Sequence, residues 1–248
     1  MIDSTNDIIL LSILIFAAGL LYSSVGHAGA SGYLAAMALF GLAPVIMKPT
    51  ALILNILVAT IATLQFYRAG HFSWSIFWPF AIGSIPFAFI GGALSLPGYV
   101  YYQVLGIVLL FAAYRLFRHR YLTNTDVVKQ VPVFLGILFG AGIGLLSGAV
   151  GIGGGIFLSP ILLFMHWART KETAGISAPF ILVNSVAGIV GHVASVKFVP
   201  DTVYILAFPA IIGGIIGSGL GSRQFVNSTM YRLLTAVLLI AGIKLILV

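Results

Sequence analysis

Two stretches of the 248-residue chain carry the residue types from which a ligand site is built. The first reads Ser23-Ser24-Val25-Gly26-His27-Ala28-Gly29-Ala30-Ser31-Gly32, and the second reads Ser147-Gly148-Ala149-Val150-Gly151-Ile152-Gly153-Gly154-Gly155. Each interrupts a long apolar run. Glycine reaches backbone angles closed to other residues and lets the main chain approach a ligand closely. A helix restarting after such a break, near Ile156, offers unpaired N–H groups and the positive end of its dipole. That arrangement binds an anion without a cationic side chain. Ser24, Ser31 and Ser147 stand beside the glycines as further donors.

Other polar residues fall inside the same apolar runs. Asn55 and Asn184 occupy matching mid-run positions, where an amide is costly without a partner. They either tie helices together or line a cavity. His27 lies in the first break and His192 late in an apolar run; either one binds a ligand, relays protons or caps a helix end. His71, His119 and His166 fall in loops. The acids are Asp3, Asp7, Asp126, Glu172 and Asp201, all in termini or connections. A cation moving through apolar segments would lack a counter-charge, whereas an anion would meet amides, hydroxyls and helix N-termini. No Ser-His-Asp, HExxH or paired-carboxylate arrangement appears, so an enzyme has no support and no metal is expected. The second glycine run resembles a dinucleotide fingerprint but has neither the strand before it nor the acidic residue after it, and no cofactor is expected. There are no cysteines, hence no disulfide or thiolate site.

These residues must be positioned by membrane helices. The chain is 60% hydrophobic and 7% charged, with a mean hydropathy of +1.15. Soluble domains carry about a quarter charged residues, so a soluble enzyme and a disordered chain are excluded. The net charge of +7 comes from scattered single residues rather than a basic patch, which excludes a nucleic-acid partner. Apolar segments run over 8–23, 29–42, 50–67, 75–95, 100–117, 131–147, 154–167, 174–195, 202–221 and 229–247. They are continuous rather than alternating, which predicts helices and not a barrel. The N-terminus has acids and no basic residue, so the first segment reads as a membrane helix rather than a signal peptide.

The segment pattern before the polar stretch 115–130 recurs after it. Val25-Gly26 and Gly29 match Val150-Gly151 and Gly154; Asn55 matches Asn184; Arg68 matches Lys197; Pro79, Gly83 and Gly91 match Pro209, Gly213 and Gly221. Residues 1–120 and 121–248 therefore form two repeats. Five segments per repeat is an odd number, so the second repeat is inverted, an arrangement that places a substrate between the halves. With loop 115–130 in the cytoplasm, Arg68, Arg115, Arg118, Arg120, Lys129, Arg169, Lys171, Arg223 and Arg232 are cytoplasmic. Lys48, Lys197, Lys244, Asp3, Asp7, Asp201 and both termini are then external. Segments 29–42 and 154–167 are short for spans; hairpins there leave these sides unchanged. Trp74, Trp78, Trp167, Tyr99, Tyr101 and Tyr102 are expected at the two interfaces. Gly213, Gly214, Gly217 and Gly221 read as a close-packing helix face.

The run Gly140-Ala-Gly-Ile-Gly-Leu-Leu-Ser-Gly-Ala-Val-Gly-Ile-Gly-Gly-Gly-Ile-Phe-Leu-Ser-Pro160 resembles the signature of the sulfite exporter TauE/SafE family. Thr173-Ala-Gly-Ile-Ser177, Asn184-Ser-Val-Ala-Gly188 and Gly191-His192 are similar to that family's second half. The first break departs from the glycine-rich form. The resemblance implies a permease of a bacterial or archaeal cytoplasmic (inner) membrane for small sulfur-containing anions such as sulfite or organosulfonates. Combined with the residues, the expectation is an all-α integral membrane protein of two inverted repeats with glycine-rich broken helices or hairpins. The substrate would be held by Ser24, Gly26, His27, Gly29, Ser31, Asn55, Ser147, Gly151, Gly153, Gly154, Gly155, Asn184 and His192, with His27 coupling protons. Its partners are a small inorganic or organic anion and the lipid bilayer. Self-association is left open. An anion channel, or a permease for a carboxylate, is the alternative.

Overall fold

The computed structural model describes residues 5–118, 129–196, 200–223 and 228–247, and for 115–118, 228–234 and 237 the backbone alone. Asp3, His119, Arg120, Asp126, Lys197 and the boundary between the repeats lie outside the described residues, as do the side chains of Arg115, Arg118 and Arg232. Described elements are helices: α1 (Thr5–Ser23), α2 (Ala30–Leu39), α3 (Pro44–Arg68), α4 (Trp74–Ala93), α5 (Gly98–Arg118), α6 (Val133–Val150), α7 (Gly155–Phe164), α8 (Thr170–Val196), α9 (Thr202–Arg223) and α10 (Ser228–Leu247). Among the described residues α1, α3, α4, α6, α8 and α9 are long and apolar enough to cross a membrane. The protein is an all-α integral membrane protein.

The short helices settle a question that segment length alone leaves open. α2 and α7 have ten residues each, about 15 Å, half of the ~30 Å hydrocarbon core. Both turn back. Gly32 of α2 seats on Ala18 and Tyr22 of α1, and the Lys129 amide ahead of α6 donates to the His166 carbonyl beyond α7 at 2.7 Å. At the far end of α2, Lys244 Nζ donates to the carbonyls of Ala38 and Leu39. Each short helix thus ends on the side from which its preceding long helix began.

The first and second groups of five helices are interleaved. α4 packs chiefly on α6 and α8, and α9 on α1 and α3. Glycines set both contacts. Gly140, Gly144 and Gly148 of α6 lie on the carbonyls of Phe80, Ser84 and Ala88 of α4. Gly213, Gly217 and Gly221 of α9 lie likewise on Phe16, Leu20 and Ser24, and Gly214 on Val58, the close-packing face expected of them. Without a hydrophobic drive between helices in lipid, such backbone approach and its dispersion contacts supply the attraction.

Three positions differ from expectation. Lys48 is not an external loop residue: Pro44 starts α3 early, so Lys48 is buried in its second turn, where Nζ donates to the carbonyls of Gly91, Gly92 and Leu94 at 3.3, 2.8 and 3.0 Å. The last carbonyls of a helix lack full intrahelical pairing, and an ammonium at the end of α4 satisfies them. Trp167 is buried against Phe80 and Phe139, and Tyr101 is buried with its hydroxyl donating to the Val150 carbonyl at 3.0 Å. Both serve packing rather than an interface; Trp74 and Tyr99 are exposed, as anchors should be.

Candidate functional site

Each break is made by the same backbone device. At the end of α1 the amide of His27 bonds the Tyr22 carbonyl (2.9 Å), and at the end of α6 the amide of Ile152 bonds the Ser147 carbonyl (3.1 Å). Left-handed glycines, Gly26 (φ 76°) and Gly151 (φ 92°), permit those turns. Gly29 (φ 107°) and Gly154 (φ 85°) then start α2 and α7, and neither start receives a side-chain cap. The first amides in each helix to find a carbonyl are Tyr33, bonded to Gly29, and Phe157 with Leu158, bonded to Gly154. The amides of Ala30, Ser31, Gly155 and Ile156 precede them. Buried N–H groups at a helix start, together with the helix dipole, form an electropositive donor cluster.

The two starts border one small cavity. Tyr22, His27, Gly29 and Ser31 line it from the first break, Ile152 and Ile156 from the second, and Ile181 from α8. Its free space is that of about one water molecule. No carboxylate lines it. His27 spans the two breaks: Nε2 lies 2.9 Å from the Gly155 carbonyl, which requires a hydrogen on Nε2, and 3.0 Å from Ser159 Oγ. Ser159 Oγ is in turn 2.9 Å from Ser177 Oγ, so imidazole and two buried hydroxyls form a chain from the first break through α7 to α8.

Around this centre, Asn55 holds the second break: its Nδ2 donates to the Ile152 carbonyl at 3.2 Å and approaches Ser185 Oγ at 3.4 Å. Gly153 lies against that amide and hydroxyl, where a side chain would collide with them. Gly154 lies against Ser147 and Phe180. The Ser147 hydroxyl and the Oδ1 atoms of Asn55 and Asn184 are buried with no hydrogen-bond partner among the described residues. Such atoms normally cost about 1–3 kcal/mol each when they stay unpaired.

Other expected residues are placed elsewhere. Ser24 turns its hydroxyl to the Leu21 carbonyl of its own helix (2.6 Å), and Gly26 seats on the backbone of Ala174. Gly151 seats on Lys48. Asn184 donates to the Phe180 carbonyl within α8 (2.8 Å), and His192 is buried two turns beyond it, outside the cavity lining. Sequence reasoning missed Ser159, Ser177 and Ser185. Their signal was available: buried hydroxyls recurring along α7 and α8, in α8 on the same helix as Asn184 and His192.

Paired broken helices meeting across a cavity in a multi-pass helical protein are an architecture of membrane transporters. The chain belongs to the sulfite exporter TauE/SafE family, whose model matches residues 11–245. It is 40% identical over 239 residues to the "Probable membrane transporter protein y4hK" of Sinorhizobium fredii (strain NBRC 101917 / NGR234), covering 95% of this chain and 97% of that one. It is 26% identical to the "Probable membrane transporter protein YjnA" of Bacillus subtilis (strain 168), covering 92% and 95%. No solved structure gives a significant match.

Proposed function

We propose that the protein is a secondary transporter that carries small sulfur-containing oxyanions, such as sulfite or organosulfonates, across a bacterial or archaeal cytoplasmic membrane. The carrying observation is the pair of uncapped helix starts, α2 and α7, buried on one cavity without a carboxylate. Three or more convergent N–H and O–H donors suit an oxyanion, and a low-dielectric surrounding strengthens each bond. The cavity is smaller than such an ion, so loading requires the two breaks to part. The His27 bond to the Gly155 carbonyl crosses that seam. In this reading, protonation of His27 couples anion movement to protons, with Ser159 and Ser177 as relay partners and Tyr22 the other titratable ring nearby, 6.5 Å away.

Alternating access would come from rocking two inverted repeats, 1–120 and 121–248. Supporting that division are the ten-residue helices and left-handed glycine starts at matching places in both groups of five. Charge supports the orientation: Arg68, Lys129, Arg169, Lys171 and Arg223 gather at one end, the cytoplasmic one by the positive-inside rule, and Lys48 and Lys244 at the other.

Proteoliposome uptake of labelled sulfite, thiosulfate, an organosulfonate and a carboxylate, with and without a pH gradient, tests this. The expected result is saturable uptake and counterflow for a sulfur oxyanion, enhanced by the gradient. Flux linear in concentration without counterflow identifies a channel instead, and uptake of the carboxylate alone changes the substrate class. Transport by His27→Gln with unchanged pH dependence removes the histidine from coupling.

A further inference from the structure

α3 and α9 are packed where Gly214 meets Val58, then separate toward their C-termini. The separation leaves an open cavity of about 670 Å³ whose walls include Gln65 and Arg68 from α3 and Ile216, Gly219, Ser222 and Arg223 from α9. Each wall therefore contributes one arginine. Neither has an ion pair or hydrogen bond among the described residues, and no acid lines the space. Glu172, the described acid at this end of the molecule, lies in the first turn of α8, where its carboxylate accepts from the Arg169 amide at 3.4 Å. Gln65 Nε2 donates to the Ile215 carbonyl at 3.3 Å, a strut that joins the walls below the arginines. Two guanidinium groups facing a half-enclosed space, with no counter-charge among the described residues, create a positive potential that water only partly screens.

The corresponding place at the opposite end is shut. There the C-terminal halves of α4 and α8 meet backbone to backbone, Gly191 on the Phe89 carbonyl and Gly92 on the Gly188 carbonyl, and Lys48 closes the end of α4. Among the described residues the α3–α9 cavity thus has no counterpart between α4 and α8 at the other end. Its α9 wall is also the stretch whose Gly217 and Gly221 seat on Leu20 and Ser24, where α1 gives way to the first break.

The geometry points to the α3–α9 cleft as an anion-recruiting site, in which Arg68 and Arg223 hold an oxyanion between them before it reaches the breaks. The chemistry is that of a tetrahedral or pyramidal oxyanion, whether free in solution or as the phosphate of a lipid headgroup. Its place on the transport route rests on the proposed function; its affinity for anions does not.

The absence of cysteine makes a direct test available. In an Ile216→Cys variant the only thiol lies on the cavity wall, and in a Gly98→Cys control it lies in open space at the other end. Each is labelled in neutral detergent at low salt with methanethiosulfonates of similar size, one anionic and one cationic. A potential of one or more kT predicts that the anionic reagent reacts about fivefold faster or more at position 216 and not at 98. Adding Arg68→Gln and Arg223→Gln should erase that preference. Using the ratio of the two reagents cancels any change in thiol reactivity. Equal rates at 216, or a preference that survives loss of both arginines, overturns the proposal.

Two further arms separate the sources. Protection by millimolar sulfate in phosphatidylcholine vesicles identifies a soluble anion, and protection by phosphatidylglycerol vesicles alone identifies a headgroup; protection by neither overturns the site. Uptake by Arg68→Gln/Arg223→Gln should show a raised KM with little change in kcat. If the wild type transports no anion at all, the labelling result still stands or falls separately.

Discussion

At the first break the chain leaves α1 through Gly26 at φ 76° and re-enters helix through Gly29 at 107°; at the second it leaves α6 through Gly151 at 92° and re-enters through Gly154 at 85°. The paths match, but what fills them does not. Where the first break carries His27, the second carries Ile152, each the residue whose amide closes the helix-ending turn. Three glycines follow Ile152, while alanines separate His27 and Gly29 from the next serine. The backbone device, which both breaks need in order to present N–H groups, is duplicated. The titratable group, which only one side of a cavity needs, is not.

The comparison can be broken first at the departing glycines. A side chain on Gly26 runs into the backbone of Ala174, whereas on Gly151 its nearest atom is the Lys48 carbonyl oxygen at 3.0 Å. Left-handed strain alone costs about 1–2 kcal/mol, so Gly151→Ala should lose about that much and Gly26→Ala about 3 kcal/mol or more. Thermal unfolding in detergent reads the difference, and equal shifts would mean that the two turns are supported alike.

Exchanging side chains comes next. His27→Ile gives the first break the second's residue; uptake should fall about tenfold, matching a charge-assisted bond of about 1.5 kcal/mol, and its pH dependence should flatten. Ile152→His should not restore it, because Ser159 and the Gly155 carbonyl lie at the other residue's ring. Restoration by the double exchange would show the breaks to be interchangeable.

The asparagines test the same asymmetry more gently. Asn55 ties α3 to the second break, so Asn55→Ala should cost about 1–2 kcal/mol and impair transport. Asn184→Ala removes a bond within one helix and should cost less than about 1 kcal/mol. Smallest of all, Ser24→Ala deletes a hydroxyl that serves only the Leu21 carbonyl; stability and uptake should stay within about 0.5 kcal/mol of wild type.

Helix positions were legible because continuous apolar runs, glycine breaks and prolines mark them locally: α9 was expected over 202–221 and spans Thr202–Arg223. α3 starts six residues ahead of its apolar segment because Lys48, a loop charge by its type, is held by three carbonyls at the end of α4. The breaks were legible for the same local reason. Which donors meet there was not, since His27 finds Gly155 and Ser159 across 128 and 132 positions of chain. Taken singly, Ser159, Ser177 and Ser185 carry no distinguishing signal in sequence because a single hydroxyl near a helix usually bonds its own turn's carbonyls, as Ser24 and Ser218 do. Only the fold distinguishes a serine turned inward on its own turn from one shared with other segments of the chain.

The interleaving of α4 and α9 has a consequence for biogenesis. When a ribosome has delivered α1 through α5, the glycine-fitted face of α4 has no partner, because its seats are on α6 and α8. That face must wait in lipid or against the insertion machinery until the second group of helices is made. The first group of five is therefore an intermediate of insertion rather than a finished unit, and the protein's assembly is completed from its C-terminal end.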